Sequence, residues 1–241
     1  MRRTLTLALA TLLIACSSKN PENKFFNEVG SLSKEEIMAR GDALAEKKKL
    51  ADARKYYSFL ADSFPNDPLG RQAALKVADT FYEAKDVESL TEARLRYKDF
   101  GNRFPNDPGR PYALMMLGKC SYQQAKGPLR DLTPIHEAVD SFKQVIELFP
   151  NSQYTPEARQ LLEQGLEDLG EHELLVAQYY YSVGAWLGAR LRVQYLLANY
   201  PETKAASEAK NLLAALGDRG EVPAPPPPAT PTPGFSPFEH R

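Results

Sequence analysis

The chain has 241 residues, 43% of them hydrophobic and 25% charged, with a formal net charge of −1. A balanced charge provides no basic field for nucleic acid. Two cysteines, Cys16 and Cys120, and three scattered histidines give neither a disulfide framework nor zinc-ligand spacing.

Residues 1–15 read as a signal peptide. Arg2 and Arg3 precede an apolar run too short to span a bilayer permanently. The run ends in Leu13-Ile14-Ala15-Cys16, which resembles the lipobox of bacterial lipoproteins. The resemblance implies cleavage before Cys16, lipidation of its thiol and a mature chain held to a membrane by acyl chains. Ser17, where such lipoproteins use Asp for inner-membrane retention, implies export to the periplasmic face of the outer membrane. Residues 16–32 read as a tether with a few apolar residues, Phe25, Phe26 and Val29.

From 33 to 216 the chain is periodic. A small residue, a large apolar residue four on, another three on and an aromatic-proline pair four further recur four times. The copies are Ala53, Tyr57, Leu60, Phe64-Pro65; Ala93, Tyr97, Phe100, Phe104-Pro105; Ala138, Phe142, Val145, Phe149-Pro150; and Ala189, Val193, Leu196, Tyr200-Pro201. Spacings of four and three place these on one helix face, and proline stops the helix. This is the second half of a tetratricopeptide repeat. The fold class expected is therefore all-α, a tetratricopeptide-repeat helical solenoid of four to five helix pairs.

The first pair opens with a capping box, Ser33 and Glu36, and carries Ile37, Gly41 and Leu44 inward. The second pair is expected over 70–84, with Ala74, Ala78, Phe81 and Tyr82 inward, and over 90–103. Asn66-Asp67-Pro68 and Asn106-Asp107-Pro108 are turns whose Asp can cap the next helix. The third pair places Tyr112, Ala113, Met116, Gly118 and Tyr122 inward over 110–125, with Cys120 a small buried residue. After an insertion at 126–133, Thr133-Pro134 restarts a helix with Thr as cap and Pro at its first position. Thr155-Pro156 does the same for a single long helix to about 183, bent near Gly165 or Gly170. Gly184-Ala185-Trp186 turns into the last repeat helix, and a helix over 203–216 closes the stack. Residues 217–241 read as a Pro-rich disordered tail. Eight of the 19 prolines lie there, and such a segment has no apolar face to bury.

Pro150-Asn151-Ser152-Gln153-Tyr154, Tyr179-Tyr180, Gly184-Ala185-Trp186, Arg192, Tyr200-Pro201 with Thr203, and Arg130-Asp131 in the insertion together resemble the BamD family. These are tetratricopeptide lipoproteins of the outer-membrane β-barrel assembly (BAM) machinery. The resemblance covers roughly 33–216 and includes the lipobox. It implies a non-enzymatic scaffold that assists assembly and insertion of β-barrel proteins. The partners implied are the barrel subunit BamA, other BAM lipoproteins, unfolded outer-membrane proteins and the membrane itself. It places barrel-subunit contacts near Tyr180, Trp186 and Arg192, and a substrate surface on the repeats between Ile37 and Arg103.

Each of these residues also has a plainer reading. Arg192 reads equally as a solvated arginine with a packed stem, and Trp186 as a packing residue at a helix start. Tyr179, Tyr180 and Tyr181 fan around a helix, so at least one is expected in solvent. Asp131 can cap or pair within its loop. No phosphate loop, nucleophile elbow or His-x-x-x-His pair supports an enzyme, a cofactor or a metal. The alternative function is a periplasmic repeat scaffold coordinating peptidoglycan synthesis with the outer membrane, though no sustained heptad supplies the coiled coil such scaffolds carry.

Overall fold

The computed structural model describes residues 21–125, 127 and 130–220. The signal, Cys16 and residues 221–241 lie outside them. Among the described residues there are ten α-helices and no strand. They are α1 (Pro21–Val29), α2 (Lys34–Glu46), α3 (Leu50–Ser63), α4 (Pro68–Tyr82), α5 (Val87–Arg103), α6 (Arg110–Gln124), α7 (Thr133–Leu148), α8 (Thr155–Ser182), α9 (Trp186–Asn199) and α10 (Lys204–Leu216). The fold is all-α, of the tetratricopeptide-repeat solenoid type. The chain divides after Lys85 into two compact units, one holding α1–α4 and the other α5–α10. The second sequence repeat thus contributes α4 to the first unit and α5 to the second.

The aromatic-proline joint has one geometry throughout. Phe64, Phe104, Phe149 and Tyr200 follow α3, α5, α7 and α9 with φ between −133° and −124° and ψ between 48° and 65°. Each donates its N–H to the carbonyl four residues back, at 2.8–3.0 Å. Each then accepts, at 2.9–3.3 Å, from the amide three residues on: Asp67, Asp107, Ser152 and Thr203. Proline excludes the α conformation from the residue before it, so the helix stops there and the chain turns.

In the first unit Ile37, Ala53, Tyr57, Leu60, Ala73 and Val77 form the core. Gly41 is small because Tyr57 lies over it; a Cβ on Gly41 would fall 2.5 Å from the ring. The Tyr57 hydroxyl donates to Asp42 at 2.6 Å, and Lys76 pairs with the same carboxylate at 2.9 Å. Ser33 and Glu36 form the expected capping box on α2. Asp67 caps α4 through the Leu69 amide. α4 buries Ala73, Val77, Ala78 and Thr80, so Ala73 rather than Ala74 holds the inward position. The stretch read as a tether contains α1. There Phe25 packs edge-on against Tyr56 and Phe59 of α3 at 5.2 and 6.2 Å, and Val29 is buried. The Glu28 carboxylate ties α1 to Arg40 and Tyr56.

In the second unit Gly118 and Phe142 repeat the Gly41–Tyr57 arrangement, with a Cβ on Gly118 falling 2.4 Å from the ring. Leu114, Met115, Ala138, Val145 and Ala158 surround them, and Cys120 is fully buried. α8 is one helix of 28 residues. Gly165 and Gly170 mark close approaches by Val139 and Thr203. Thr133 and Thr155 are not caps, since each is already the first helical residue. Asp131 accepts from the Thr133 amide, and the Thr155 hydroxyl donates to the Phe149 carbonyl. Two amides at the start of α10 are accepted by Glu167 of α8 at 2.9 and 3.1 Å. Residues 217–220, placed by sequence in the tail, are held in position. Arg190 donates to the carbonyls of Gly217 and Arg219, and Arg219 bonds back to Leu216 at 3.1 Å.

A charge cluster ties α5, α6 and α7 together. Glu137 accepts from Arg94 at 2.6 Å, Lys98 at 2.9 Å and Ser121 at 2.7 Å. Partial burial works to raise its pKa. The hydrogen bonds from Ser121, Lys98 and Arg94 outweigh that and lower it from 4.5 to about 2. A lowered folded-state pKa gives stability that is present above the unfolded value and lost as pH falls through about 2. Discounted for solvent screening, the contribution is about 1–2 kcal/mol at neutral pH. Glu137→Gln should therefore lower the stability of this unit near neutral pH, and the gap to the parent chain should close as pH drops below 4.5 toward 2. Urea melts at three pH values between these limits test this, and a gap that stays constant with pH would refute it.

Candidate partner-binding site

Two of the residues that the sequence nominates, Tyr180 and Trp186, lie where α8 turns into α9, and Arg192 lies further along α9. Gly184 makes the turn at φ +76°, a conformation that side chains rarely adopt. The Ala185 amide bonds to the Tyr180 carbonyl at 2.9 Å, so the end of α8 holds the start of α9.

The three tyrosines take different environments. Tyr179 is the solvent-facing one, 63% exposed. Tyr180 is half-buried, its ring lying over Gly188, where a Cβ would come within 3.2 Å. Tyr181 packs edge-on against Trp186 at 5.3 Å. Trp186 is also contacted by the segment after α10. The Arg219 guanidinium sits 4.7 Å from its ring and 5.7 Å from Tyr181. The Gly220 backbone approaches so closely that a Cβ there would fall 2.4 Å from the Trp186 carbonyl. The indole therefore fastens the segment after α10 to the start of α9, which is a packing role.

Arg192 is partly solvated and also paired. Its Nη1 donates to both oxygens of Glu173 on α8, at 3.0 and 3.3 Å. The Glu173 side chain is only 9% exposed, whereas that of Arg192 is 42% exposed. The arginine thus answers a buried carboxylate with one nitrogen and presents the rest of its fork outward. The sequence reading missed Glu173, although it carried a signal. Leu169, Glu173 and Ala177 lie four apart on the buried face of α8, and a carboxylate in such a row needs a cation.

Beside Arg192 runs an apolar row. Leu187, Leu191 and Tyr195 lie four apart on α9 and are each about half exposed, at 47, 51 and 47%. Val183 and Tyr179, at the end of α8, are exposed at 57 and 63%. The opposite face of α9 is buried through Ala189, Val193 and Leu196. Arg192 lies between the two faces. Exposed tyrosines and an arginine are residue types enriched at interface centres, and the aliphatic side chains between them add apolar surface. Of the sequence range 37–103 nominated for substrates, α2–α4 lie in the first unit and α5 in the second. Among the described residues no cluster of three or more His, Cys, Asp or Glu could hold a metal ion, and no helix is long and apolar enough to cross a membrane.

Comparison with known proteins covers both units. The chain is 27% identical over 212 residues to the outer membrane protein assembly factor BamD of Haemophilus influenzae, spanning 84% of this chain and 78% of that protein. It is 26% identical over 219 residues to BamD of Neisseria meningitidis serogroup A, spanning 87% of this chain and 81% of the relative. A shorter match, 35% identical over 77 residues, links it to BamD of Vibrio cholerae across 32% of each chain. A family model described as YfiO, outer membrane lipoprotein, matches residues 31–218, the whole of the repeat region, and the chain therefore belongs to the YfiO/BamD family.

Proposed function

We propose that this chain is a non-catalytic assembly factor for outer-membrane β-barrel proteins. It is anchored by lipid on Cys16 to the periplasmic face of the outer membrane and works beside other BAM lipoproteins. The corner of α8 and α9 engages the periplasmic part of a BamA-like barrel subunit, and helices in the range 37–103 receive unfolded barrel proteins. The observation that carries this reading is the family match over both units. The exposed apolar row beside Arg192 supports the location of the partner contact.

Titration of the full mature chain against the periplasmic domain of the barrel subunit from the same cell tests the proposal. Arg192→Gln should weaken the complex about tenfold or more, the loss of a charge-assisted contact at a desolvated interface. Glu173→Gln keeps the arginine and should leave affinity within a few-fold. Equal losses for both, matched by equal drops in melting temperature, would reduce Arg192 to a packing residue. Charge reversal is a poorer probe, because Arg192→Glu would set two carboxylates together at a mostly buried site. A fragment beginning at Asn151 is unsuitable too, since it strips Ile135 and Val139 of α7 from Leu169 of α8.

A further inference from the structure

α1 is a nine-residue helix whose inner side is accounted for. Val29 is buried, Phe25 packs on α3, and Glu28 is engaged by Arg40 and Tyr56. Its outer side is not. Phe26 caps the aromatic cluster, with its ring 5.7 Å from Phe25 and 6.4 Å from Phe59, yet it remains 57% exposed.

What covers this face follows from chain length. Only residues 17–20 separate Cys16 from the first residue of α1. Five residue steps, even fully extended, reach about 18 Å. The five further residues to Phe26 add only about 8 Å along a helix. If Cys16 carries lipid, as proposed above, Phe26 lies within about 25 Å of the headgroup layer. α1 cannot move away independently, because it is fastened to α2 and α3. An exposed aromatic ring suits the interfacial zone of a bilayer, where apolar and hydrated surroundings meet.

We propose that the face of α1 that carries Phe26 rests on the lipid surface and fixes how the first unit is held against the membrane. The acyl chains then serve as the anchor and α1 as a second foot. A lipoprotein on a long leash would leave its repeats free to rotate, whereas this one presents a fixed side of α2–α4 to the periplasm.

The test uses the full lipidated chain in vesicles of phosphatidylcholine and phosphatidylglycerol with brominated acyl chains. Mass spectrometry first establishes whether Cys16 is acylated. Phe26→Trp adds a fluorophore to the parent's one tryptophan, Trp186, and the difference in emission between variant and parent isolates residue 26. That difference should fall to less than half on going from unbrominated to brominated lipid. The Cys16→Ala version of the same variant should show little change at equal lipid. An acylated protein with unquenched residue 26 overturns the second foot and leaves the anchor standing. A protein that is not acylated overturns both. A melting curve matching the parent's shows that Phe26→Trp has left the aromatic cluster in place.

Discussion

Phe142→Ala should lower the stability of the unit holding α5–α10 by about 3–5 kcal/mol, the range for deleting a fully buried aromatic side chain. The ring is 0% exposed and spans the contact between α6 and α7, against Leu114, Met115 and Ala158. Gly118 makes the prediction sharper. Any side chain there must occupy space the ring already fills, because a Cβ would sit 2.4 Å from a ring carbon. Gly118→Ala in the otherwise unchanged chain should cost about 1–3 kcal/mol through overpacking. Placed on Phe142→Ala, the same change should cost far less, since the methyl group enters the space the ring has left. The two substitutions should thus be non-additive by 1 kcal/mol or more, as expected for side chains in direct contact. Urea denaturation followed by Trp186, which lies in this unit, gives the measurement. Additive losses would mean that α6 and α7 have moved apart to accommodate the methyl group.

Cys16→Ala should convert a membrane-bound protein into a freely soluble one. The described helices offer no span, and the longest, α8, carries charged residues from Glu157 to Glu173. The proposed attachment therefore rests on acyl chains, each buried methylene contributing about 0.8 kcal/mol. Removing the thiol removes all of that at once. Phe26 cannot replace it, because a single exposed ring buries far less apolar surface than an acyl chain. Flotation of purified protein with lipid vesicles reads the outcome without a protein partner to hold the variant in place. Undiminished flotation of Cys16→Ala would sink the lipoprotein reading.

The repeat pattern made most of the helical order legible before any coordinates, because it is written in local chemistry. A proline stops a helix whatever its surroundings, and Ser33 with Glu36 closes its capping box within four residues. What stayed hidden is what distant segments decide. Residues 21–29 have no repeat signature, and α1 forms because Tyr56 and Phe59 offer Phe25 a surface. Thr133 looked like a cap, but it is already the first residue of α7 and its own amide donates to Asp131. The division after Lys85 falls inside a sequence repeat and leaves no local mark. At the corner of α8 and α9, the sequence singled out Trp186 and Arg192 but not the contacts they make. Trp186 is committed by Arg219, 33 positions away, and Arg192 by Glu173, 19 positions away. Neither pairing can be read from helix periodicity. The exposed Leu187, Leu191 and Tyr195 row needed the burial of the opposite face to stand out.

The four aromatic-proline joints share their angles although the helices opening each repeat differ in length, from 13 residues in α2 to 28 in α8. Length variation is therefore absorbed before the joint and never at it. The connection between Gln124 and Thr133 is the natural place for tags, reporter loops or inherited insertions, because the next turn restarts from the same fixed angles. The two residues of a joint are the opposite case, as one extra residue there would turn the helix that follows away from its packed face. A lineage can thus lengthen a repeat to reach a new partner without relearning how the following one packs.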